Sequence, residues 1–303
     1  MSGEYVIEAE GLRKAYGRAA AVTGLSLRVP RGSVYGFLGR NGAGKTTTIK
    51  MLLGMTRADA GECRVLGRAF DDARLSVEIR RRTGFVSEEK RLYDYMTVAQ
   101  MIAFTRPFFP AWRRDLEEKY LRDFELPAGR KVRALSKGMR TKLALLLALA
   151  RGAELLVLDE PSEGLDPAMV EDLLGLLVGL AADEGLTIFF SSHQIAEVEQ
   201  IADRVLIIDK GRAVVEGALD DLKESYRRVN LVFGEAGAPP DGKAFDAPGV
   251  VSAKRDGRWL SLVVSHGADA VVEEARRRGA LSADVQPLAL RDIFLESVRE
   301  SGV

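Results

Sequence analysis

The sequence predicts a layered α/β fold with a largely parallel sheet, an inserted helical subdomain and a small α+β appendage. Three patterns support this prediction. Short apolar runs, typical of strands buried on both faces, alternate with segments of helical spacing. The stretch from about residue 88 to residue 150 is mostly helical in pattern, and the composition changes beyond about Tyr226. We therefore expect two domains, at 1–225 and 226–303.

The N-terminal segment predicts two antiparallel strands followed by a buried strand and a helix. Val6–Glu10 and Leu25–Val29 alternate apolar and polar residues, as the edge strands of an antiparallel sheet do. Ser33–Leu38 is a short apolar strand. A glycine-rich turn follows it, and Thr47–Leu53 has the pattern of a helix that ends at Gly54.

The central and later segments predict helices first and then a strand–helix alternation. Proline and glycine residues near Pro107–Pro110 and Pro127–Gly129 break the helical stretch into pieces. Helices are expected at Met169–Ala181 and up to about Ala202. The buried strands expected around them are Leu155–Leu158, Leu186–Phe190 and Val205–Ile208, and the turn Lys210-Gly211 leads into Ala213–Val215.

The C-terminal segment predicts the small appendage. Glu235–Pro248 is rich in Gly, Pro and Ala and is expected to be a loop. Arg258–Val264 alternates as a strand after a turn, Asp269–Arg278 is helical, and Asp292–Glu300 is an amphipathic terminal helix. This content indicates an α+β unit whose role is dimerisation, regulation or simple structural support.

Composition excludes several classes of protein. Among the 303 residues, Lys+Arg and Asp+Glu balance at 44 each, so no basic footprint for nucleic acid or anionic lipid is present. The single cysteine, Cys63, excludes an internal disulfide framework and fits a reducing compartment. Met1–Glu10 lacks the pattern of a signal peptide, and the longest apolar run, Leu143–Ala150, is too short to span a bilayer.

A phosphate-binding loop is predicted between the third strand and the first helix. The segment matches G-x-x-x-x-G-K-[ST] in full, whereas an ordinary glycine turn would need only part of it. Backbone N–H groups of such a turn form an anion-binding concavity, to which the helix N-terminus adds its positive end. Lys45 can reach the β- and γ-phosphates, and the Thr46 hydroxyl can bind Mg²⁺. The candidate binding residues are Gly39, Arg40, Asn41, Gly42, Ala43, Gly44, Lys45, Thr46 and Thr47.

A pair of carboxylates follows the buried strand Leu155–Leu158. Strand alternation predicts that Asp159 and Glu160 point in different directions. We assign Asp159 to Mg²⁺, through a water, because Mg²⁺ keeps part of its hydration. Glu160 is then the general base, or the residue that orients the attacking water. The alternative is a solvated Asp-Glu pair at a strand end.

These motifs resemble the ATP-binding cassette (ABC) family over about residues 4–225. Leu135–Met139 reads LSKGM and resembles the family signature LSGGQ, and such variants resemble those of bacterial ABC-2-type exporters. The resemblance implies that Ser136 and the Gly138 backbone contact the γ-phosphate bound to a second copy, and Lys137, which replaces the first Gly of the motif, is a further candidate binding residue. It also implies a P-loop NTPase cassette, with a mixed sheet core, an antiparallel β subdomain and the inserted helical subdomain.

Four further residues take their roles from this resemblance. Tyr16 resembles the aromatic residue that stacks on adenine, although a plain surface tyrosine is the alternative. Asp166 ends a segment, Ser162–Asp166, that resembles the D-loop passing between subunits. His193 resembles the switch histidine, which hydrogen-bonds the γ-phosphate. Glu88 stands where the family usually has Gln, and its carboxylate would bind Mg²⁺ or a bridging water.

The resemblance implies an ATPase that uses ATP and Mg²⁺ and works as a head-to-tail homodimer on a separate membrane permease. It would act in the cytoplasm, on the inner face of the cell membrane, with no nucleic-acid partner. Leu92, Tyr93 and Met96 could receive a permease helix or pack within the helical subdomain. Two alternatives stay open: a soluble ABC ATPase acting on ribosomes or DNA, and a catalytically inactive regulatory cassette.

Overall fold

The computed structural model describes residues 4–70, 73–234 and 248–300. These residues fall into two compact units that divide between Ala213 and Val214. The domain boundary was predicted after residue 225. The segment 214–225 instead belongs to the second unit.

The first unit contains most of the secondary structure. In chain order its elements are β1 (Tyr5–Tyr16), β2 (Ala19–Pro30), β3 (Val34–Gly39), α1 (Lys45–Leu52), β4 (Ala60–Val65), β5 (Arg68–Ala69), α2 (Ala73–Arg82), β6 (Thr83–Val86), α3 (Val98–Thr105), α4 (Arg114–Asp123), α5 (Lys137–Leu149), β7 (Leu155–Asp159), α6 (Pro167–Glu184), β8 (Thr187–Ser192), α7 (Ile195–Ile201), β9 (Arg204–Asp209) and the start of β10 (Arg212–Ala218). Short 3-10 turns lie at Arg106–Phe108 and Val132–Ala134.

An antiparallel sheet is formed by β1, β2, β4 and β5, in the order β2-β1-β4-β5. The predicted antiparallel subdomain is therefore confirmed. One detail of the prediction is wrong: β1 is not an edge strand, because it pairs with β2 on one side and with β4 on the other. The apolar residues of its alternation, such as Ile7 and Leu12, are fully buried and pack with Leu25 and Leu27 of β2.

The central sheet has the order β10-β9-β3-β8-β7-β6. All four pairings from β9 to β6 are parallel, as the apolar runs predicted. The register places Leu38 beside Ser192, and Asp159 beside Ser191. Because the carboxyl ends of parallel strands meet at one edge of a sheet, the segments that follow β3, β7 and β8 converge there.

Helices α3, α4 and α5 form the helical subdomain predicted for residues 88–150. Both predicted breaks are present, since α3 ends at Thr105 and α4 ends at Asp123. Thr97 starts α3 with a capping box, in which its hydroxyl accepts from the Gln100 N–H and its own N–H donates to the Gln100 side chain. Helix α5 buries its leucine-rich length, from Leu143 to Leu149.

The longest helix is α6, which has 18 residues. Asp166 caps its N-terminus by accepting a hydrogen bond from the Met169 N–H, and Gly185 ends it in a left-handed conformation. No helix in the described part of the chain combines the length and the apolar character needed to cross a bilayer.

The second unit contains the rest of β10 and the elements α8 (Leu219–Ser225), β11 (Arg227–Phe233), β12 (Val250–Asp256), β13 (Trp259–Val264), α9 (Ala268–Arg277), β14 (Ala280–Pro287) and α10 (Leu290–Glu300). Its antiparallel sheet has the order β12-β13-β11-β14 and buries Val229, Leu231 and Leu262 beneath α9. Strand β13 and helices α9 and α10 match the predicted elements. The predicted loop Glu235–Pro248 lies outside the described residues except for Pro248.

The core of the first unit supplies a stability prediction. Phe189 of β8 is fully buried, and its ring centroid lies 5.7 Å from that of Tyr35 and 5.3 Å from that of Phe37. Phe189→Ala should lower the free energy of unfolding by about 3–5 kcal/mol, because it leaves a cavity among aromatic rings. Urea denaturation followed by circular dichroism measures this loss. Val178→Ala, on the exposed side of α6, should change it by less than about 0.5 kcal/mol, and equal losses would contradict the packing described.

Candidate functional site

A cavity of about 330 Å³ lies beside the loop between β3 and α1. Its lining residues are Ala21, Asn41, Gly42, Gly44, Lys45, Thr46, Thr47, Glu88, Glu160, Glu163 and His193. All of them except Ala21 and Glu163 are site residues predicted from the sequence. The convergence of the segments after β3, β7 and β8 thus brings together side chains that are distant in the chain.

The loop Gly39–Gly44 depends on glycine at defined positions. Gly42 and Gly44 adopt left-handed φ angles of 82° and 106°. A Cβ atom on Gly44 would lie 2.5 Å from the carbonyl oxygen of Ala21, which is too close for any other residue. A Cβ atom on Gly39 would lie 2.7 Å from the carbonyl oxygen of Ile208. Glycine therefore allows the loop to lie tightly between β2 and β9.

Lys45 is the first residue of α1 and is only 6% exposed. Its ammonium donates hydrogen bonds to the carbonyl oxygens of Gly39 at 2.7 Å and Arg40 at 3.3 Å. The same Nζ atom lies 3.0 Å from Glu160 Oε1. A buried cation is thereby surrounded by three oxygen atoms, one of them charged.

Glu160 directly follows β7 and adopts a left-handed φ of 48°. Its Oε2 atom lies 2.9 Å from His193 Nδ1 and accepts from the His193 backbone N–H at 3.3 Å. The carboxylate therefore bridges Lys45 and His193. The predicted divergence of Asp159 and Glu160 is present, but it arises from the left-handed turn at Glu160, because the strand itself ends at Asp159.

Asp159 lies deeper than Glu160 and does not line the cavity. It is 2% exposed and accepts a 2.7 Å hydrogen bond from Ser191 Oγ. Ser191 Oγ in turn accepts from the Glu160 backbone N–H at 3.1 Å. Ser191 therefore fixes the two acidic residues relative to β8, a role that the sequence pattern did not reveal.

Glu163 adds a third carboxylate to the cavity. Its Oε2 atom lies 3.9 Å from His193 Nε2, and ligand atoms of Glu160, Glu163 and His193 all lie within 4.8 Å of one another. Together with Glu88 and the hydroxyl groups of Thr46 and Thr47, these carboxylates offer the oxygen donors that Mg²⁺ prefers. The residues of the cavity therefore fit the predicted metal.

Lys90 offsets part of this negative charge. It is buried, and its backbone N–H donates to the carbonyl oxygen of Ser87 at 3.0 Å. Burial lowers the pKa of Lys90, while the carboxylates of Glu163 and Glu88 act in the opposite direction. The cationic side chain therefore lies within electrostatic reach of two carboxylates of the cavity.

The signature residues do not line the cavity of their own chain. Ser136 is exposed at the N-terminus of α5, where its hydroxyl accepts from the Met139 N–H at 3.2 Å. The Lys137 side chain lies over Gly164, 2.9 Å from where a Cβ atom would stand. Gly138 is buried against Met169. In a single chain, Lys137 and Gly138 therefore contact Gly164 and Met169, and none of the three signature residues lines the cavity.

The remaining predicted residues take structural or exposed positions. Gly39 and Ala43 shape the loop, and Arg40 contributes its carbonyl oxygen to Lys45. Tyr16 is 52% exposed, and Lys14 Nζ lies 5.7 Å from the centroid of its ring. Asp166 caps α6 and does not line the cavity. The adenine-stacking role of Tyr16 stays a prediction.

The chain is similar to ATP-binding components of transport systems. The profile of the ABC transporter family matches residues 22–163, which include the loop, the signature and the acid pair. The bacitracin transport ATP-binding protein BcrA of Bacillus licheniformis is 36% identical over 225 residues, which cover 74% of this chain and 73% of the relative. The daunorubicin resistance ATP-binding protein DrrA3 of Streptomyces coeruleorubidus is 35% identical over 302 residues, which cover 96% and 94%.

Two further comparisons agree with these. The Nod factor export ATP-binding protein I of Ralstonia nicotianae is 37% identical over 222 residues, which cover 72% of this chain and 68% of the relative. A solved structure of an ATP-binding subunit of an ABC transporter has a TM-score of 0.65 and 28% identity, and it covers 72% of this chain and 92% of that chain.

The position of Lys45 predicts its contribution to nucleotide binding. Lys45→Ala should weaken ATP binding at least about tenfold, because the loop loses its cation. Isothermal titration with ATP measures this change. Lys50→Ala, an exposed substitution on the same helix, serves as the control and should leave the affinity unchanged. Equal ATP affinity of Lys45→Ala and the unmodified protein would count against the phosphate-binding assignment.

Proposed function

Because the chain belongs to the ABC transporter family, as an ATP-hydrolysing subunit of the exporter type, we propose that two copies bind two ATP molecules between them and drive a separate membrane permease. One observation carries this proposal. The loop and Glu160 line a cavity in one chain, while the signature residues of that chain do not line it. A complete site therefore needs the signature of a second copy.

The proposed binding step starts from the ion pair of Lys45 and Glu160. Backbone N–H groups of the loop bind the phosphates, and the Lys45 ammonium moves from its protein oxygens to phosphate oxygens. Thr46 and Glu88 would hold Mg²⁺, with Asp159 acting through a water, and the ion would neutralise phosphate charge. The exchange is favourable because the triphosphate offers Lys45 more negative charge than a single carboxylate does.

Release of Lys45 frees the Glu160 carboxylate for catalysis. Glu160 then accepts a hydrogen bond from the attacking water and orients it toward the γ-phosphate. His193 Nδ1 lies 2.9 Å from Glu160 Oε2, and a small rotation would let it donate to the γ-phosphate and stabilise the charge that develops there. Glu160 and His193 would act as a pair positioned by β7 and β8.

Closure of the dimer follows from the charge on the γ-phosphate. Ser136 is exposed at the positive N-terminus of α5, a position suited to an anion supplied by another chain. The γ-phosphate would then link Lys45 of one copy to Ser136 of the other. Hydrolysis removes this link and lets the two copies separate, so binding and hydrolysis favour different states.

The permease contact is proposed at an exposed aromatic surface of the helical subdomain. We define the aromatic surface as Tyr93, Tyr95, Phe104 and Phe108, which are 42–67% exposed. The Tyr93 ring packs against those of Tyr95 and Phe104, and Phe104 packs edge-on against Phe108. Clustered exposed aromatic rings are typical of protein–protein contacts. Tyr93 and Tyr95 lie shortly after Glu88 in the sequence, and Glu88 lines the cavity. A partner bound at the aromatic surface could therefore influence the ATP site.

The second candidate, a soluble ATPase acting on ribosomes or DNA, has less support. Relatives that match most of this chain are named for transport or resistance, including DrrA3, whose match covers 96% of this chain. The balance of 44 basic and 44 acidic residues leaves the chain without the net positive charge that is typical of nucleic-acid-binding domains. The proposed place of action is accordingly the inner face of the membrane, through the permease.

Glu160→Gln should separate ATP binding from hydrolysis. We expect the ATPase rate to fall at least about a hundredfold, because the amide cannot take a proton from water, while ATP affinity stays within about threefold. ATP-loaded dimers should accumulate and elute early in size-exclusion chromatography. Glu171→Gln, exposed on α6, should leave the rate unchanged. An unaltered turnover of Glu160→Gln would refute its role.

Substitutions in the aromatic surface should weaken the permease contact and leave nucleotide binding intact. Tyr93→Ala combined with Phe104→Ala should reduce, at least about fivefold, the membrane protein that co-purifies with a tagged chain from detergent-solubilised membranes. Trp259→Ala, an exposed aromatic of the second unit, is the matched control. Mass spectrometry identifies the partner, and ribosomal RNA or DNA in its place would favour the second candidate.

A further inference from the structure

A second cavity, of about 430 Å³, lies between α4, α5 and α6 in the first unit. Its volume is within the range of small-molecule sites. We propose that this helical cavity binds a cationic, amphipathic small molecule and that the bound molecule alters the position of the signature. The site shares no lining residue with the nucleotide cavity.

The floor of the helical cavity is formed by buried apolar side chains. Leu145 of α5 and Leu173 and Leu180 of α6 are at most 5% exposed, and all three line the cavity. The aromatic rings of Tyr120 on α4 and of Phe124, which directly follows α4, stack with a centroid distance of 5.1 Å and complete one wall. Such a floor favours an aromatic or branched apolar group, because its burial removes apolar surface from water.

The rim of the helical cavity carries excess negative charge. Its charged residues are the four acids Asp123, Asp172, Asp183 and Glu184 and the two lysines Lys119 and Lys142. Lys119 Nζ lies 3.8 Å from Glu184 Oε1, so one lysine and one acid pair with each other and the remaining charge is negative. Burial raises the pKa of the Tyr120 phenol, and the negative charges of Glu184 and Asp123 raise it further. A cationic ligand is therefore favoured over an anionic one.

One end of the helical cavity is formed by the signature. Gly138 and Leu165 both line it, and α5 and α6 both begin there. A Cβ atom on Gly138 would collide with the Met169 sulfur, so the two helices touch at this point. A ligand that displaces Met169 would change the spacing between Gly138 and the D-loop, because closely packed elements move rather than compress.

Two glycines of α6 provide a matched pair of substitutions. Gly179 lines the helical cavity, and a Cβ atom on it would meet no atom within 4 Å. Gly175 also has open space around it but does not line the cavity. Gly179→Phe therefore fills the cavity, whereas Gly175→Phe points elsewhere. Both variants should remain folded, since each replaces a glycine in a helix interior.

Tetraphenylphosphonium and tetraphenylborate are suitable probes because they share size and shape but carry opposite charge. We expect tetraphenylphosphonium to bind the ATP-free protein and Gly175→Phe saturably and equally in isothermal titration. Its affinity for Gly179→Phe should fall at least about tenfold, and tetraphenylborate should bind the unmodified protein at least about tenfold more weakly. Equal affinity of Gly179→Phe, equal affinity of the two probes, or absence of saturable binding would each overturn the proposal.

The link to the signature has its own measurement. Tetraphenylphosphonium should reduce the ATPase rate of the unmodified protein, and half of this reduction should occur at the half-saturating concentration found by titration. The ATPase rate of Gly179→Phe should not change with the probe. A rate that stays constant at saturating probe would overturn the link. Binding is measured without ATP, so a failure of the proposed dimer mechanism leaves the titration result unaffected.

Discussion

The buried ion pair between Lys45 and Glu160 is the interaction on which the site depends. Two charges removed from water at this depth are unfavourable unless other polar groups surround them. The carbonyl oxygens of Gly39 and Arg40 do so for Lys45, and His193 does so for Glu160. The pair therefore joins the segments that follow β3, β7 and β8 into one unit. Under the proposed mechanism, Lys45 is the group that binds the triphosphate and Glu160 is the group that orients the attacking water. Their mutual contact keeps both side chains buried within the site.

Left-handed backbone conformations occur beside both members of this pair. Gly42 and Gly44 supply left-handed residues that only glycine adopts easily, and Glu160 adopts one despite its side chain. The turn at Glu160 is stabilised by its N–H bond to Ser191 and by the two contacts of its carboxylate. The parallel register of β7 and β8 places Asp159 beside Ser191 and so fixes the residue before the turn.

The sequence predicted several strands and helices from burial periodicity, but it missed β11, whose alternation buries Val229, Leu231 and Phe233. The apolar runs of β3, β7, β8 and β9 and the capped helix α6 follow from their patterns. Strand β4 was not predicted, because most of its residues are exposed and show no alternation; β14 is exposed along most of its length for the same reason. The loop glycines and Lys45 were found by motif. Glu163 was missed as a cavity residue, because its place depends on the turn at Glu160 and not on any strand or helix period.

Because the proposed site is divided between two chains, the contact between Lys45 and Glu160 also limits hydrolysis by a single chain. In a single chain, Glu160 is occupied by Lys45, and Ser136 lies away from the cavity. Under the proposed mechanism, hydrolysis then needs two events: a triphosphate that draws Lys45 away, and a second copy that supplies Ser136. Neither event alone completes the site, so an isolated chain would hydrolyse ATP slowly. The helical cavity lies behind Gly138, where a ligand would act on the second event and leave the first unchanged.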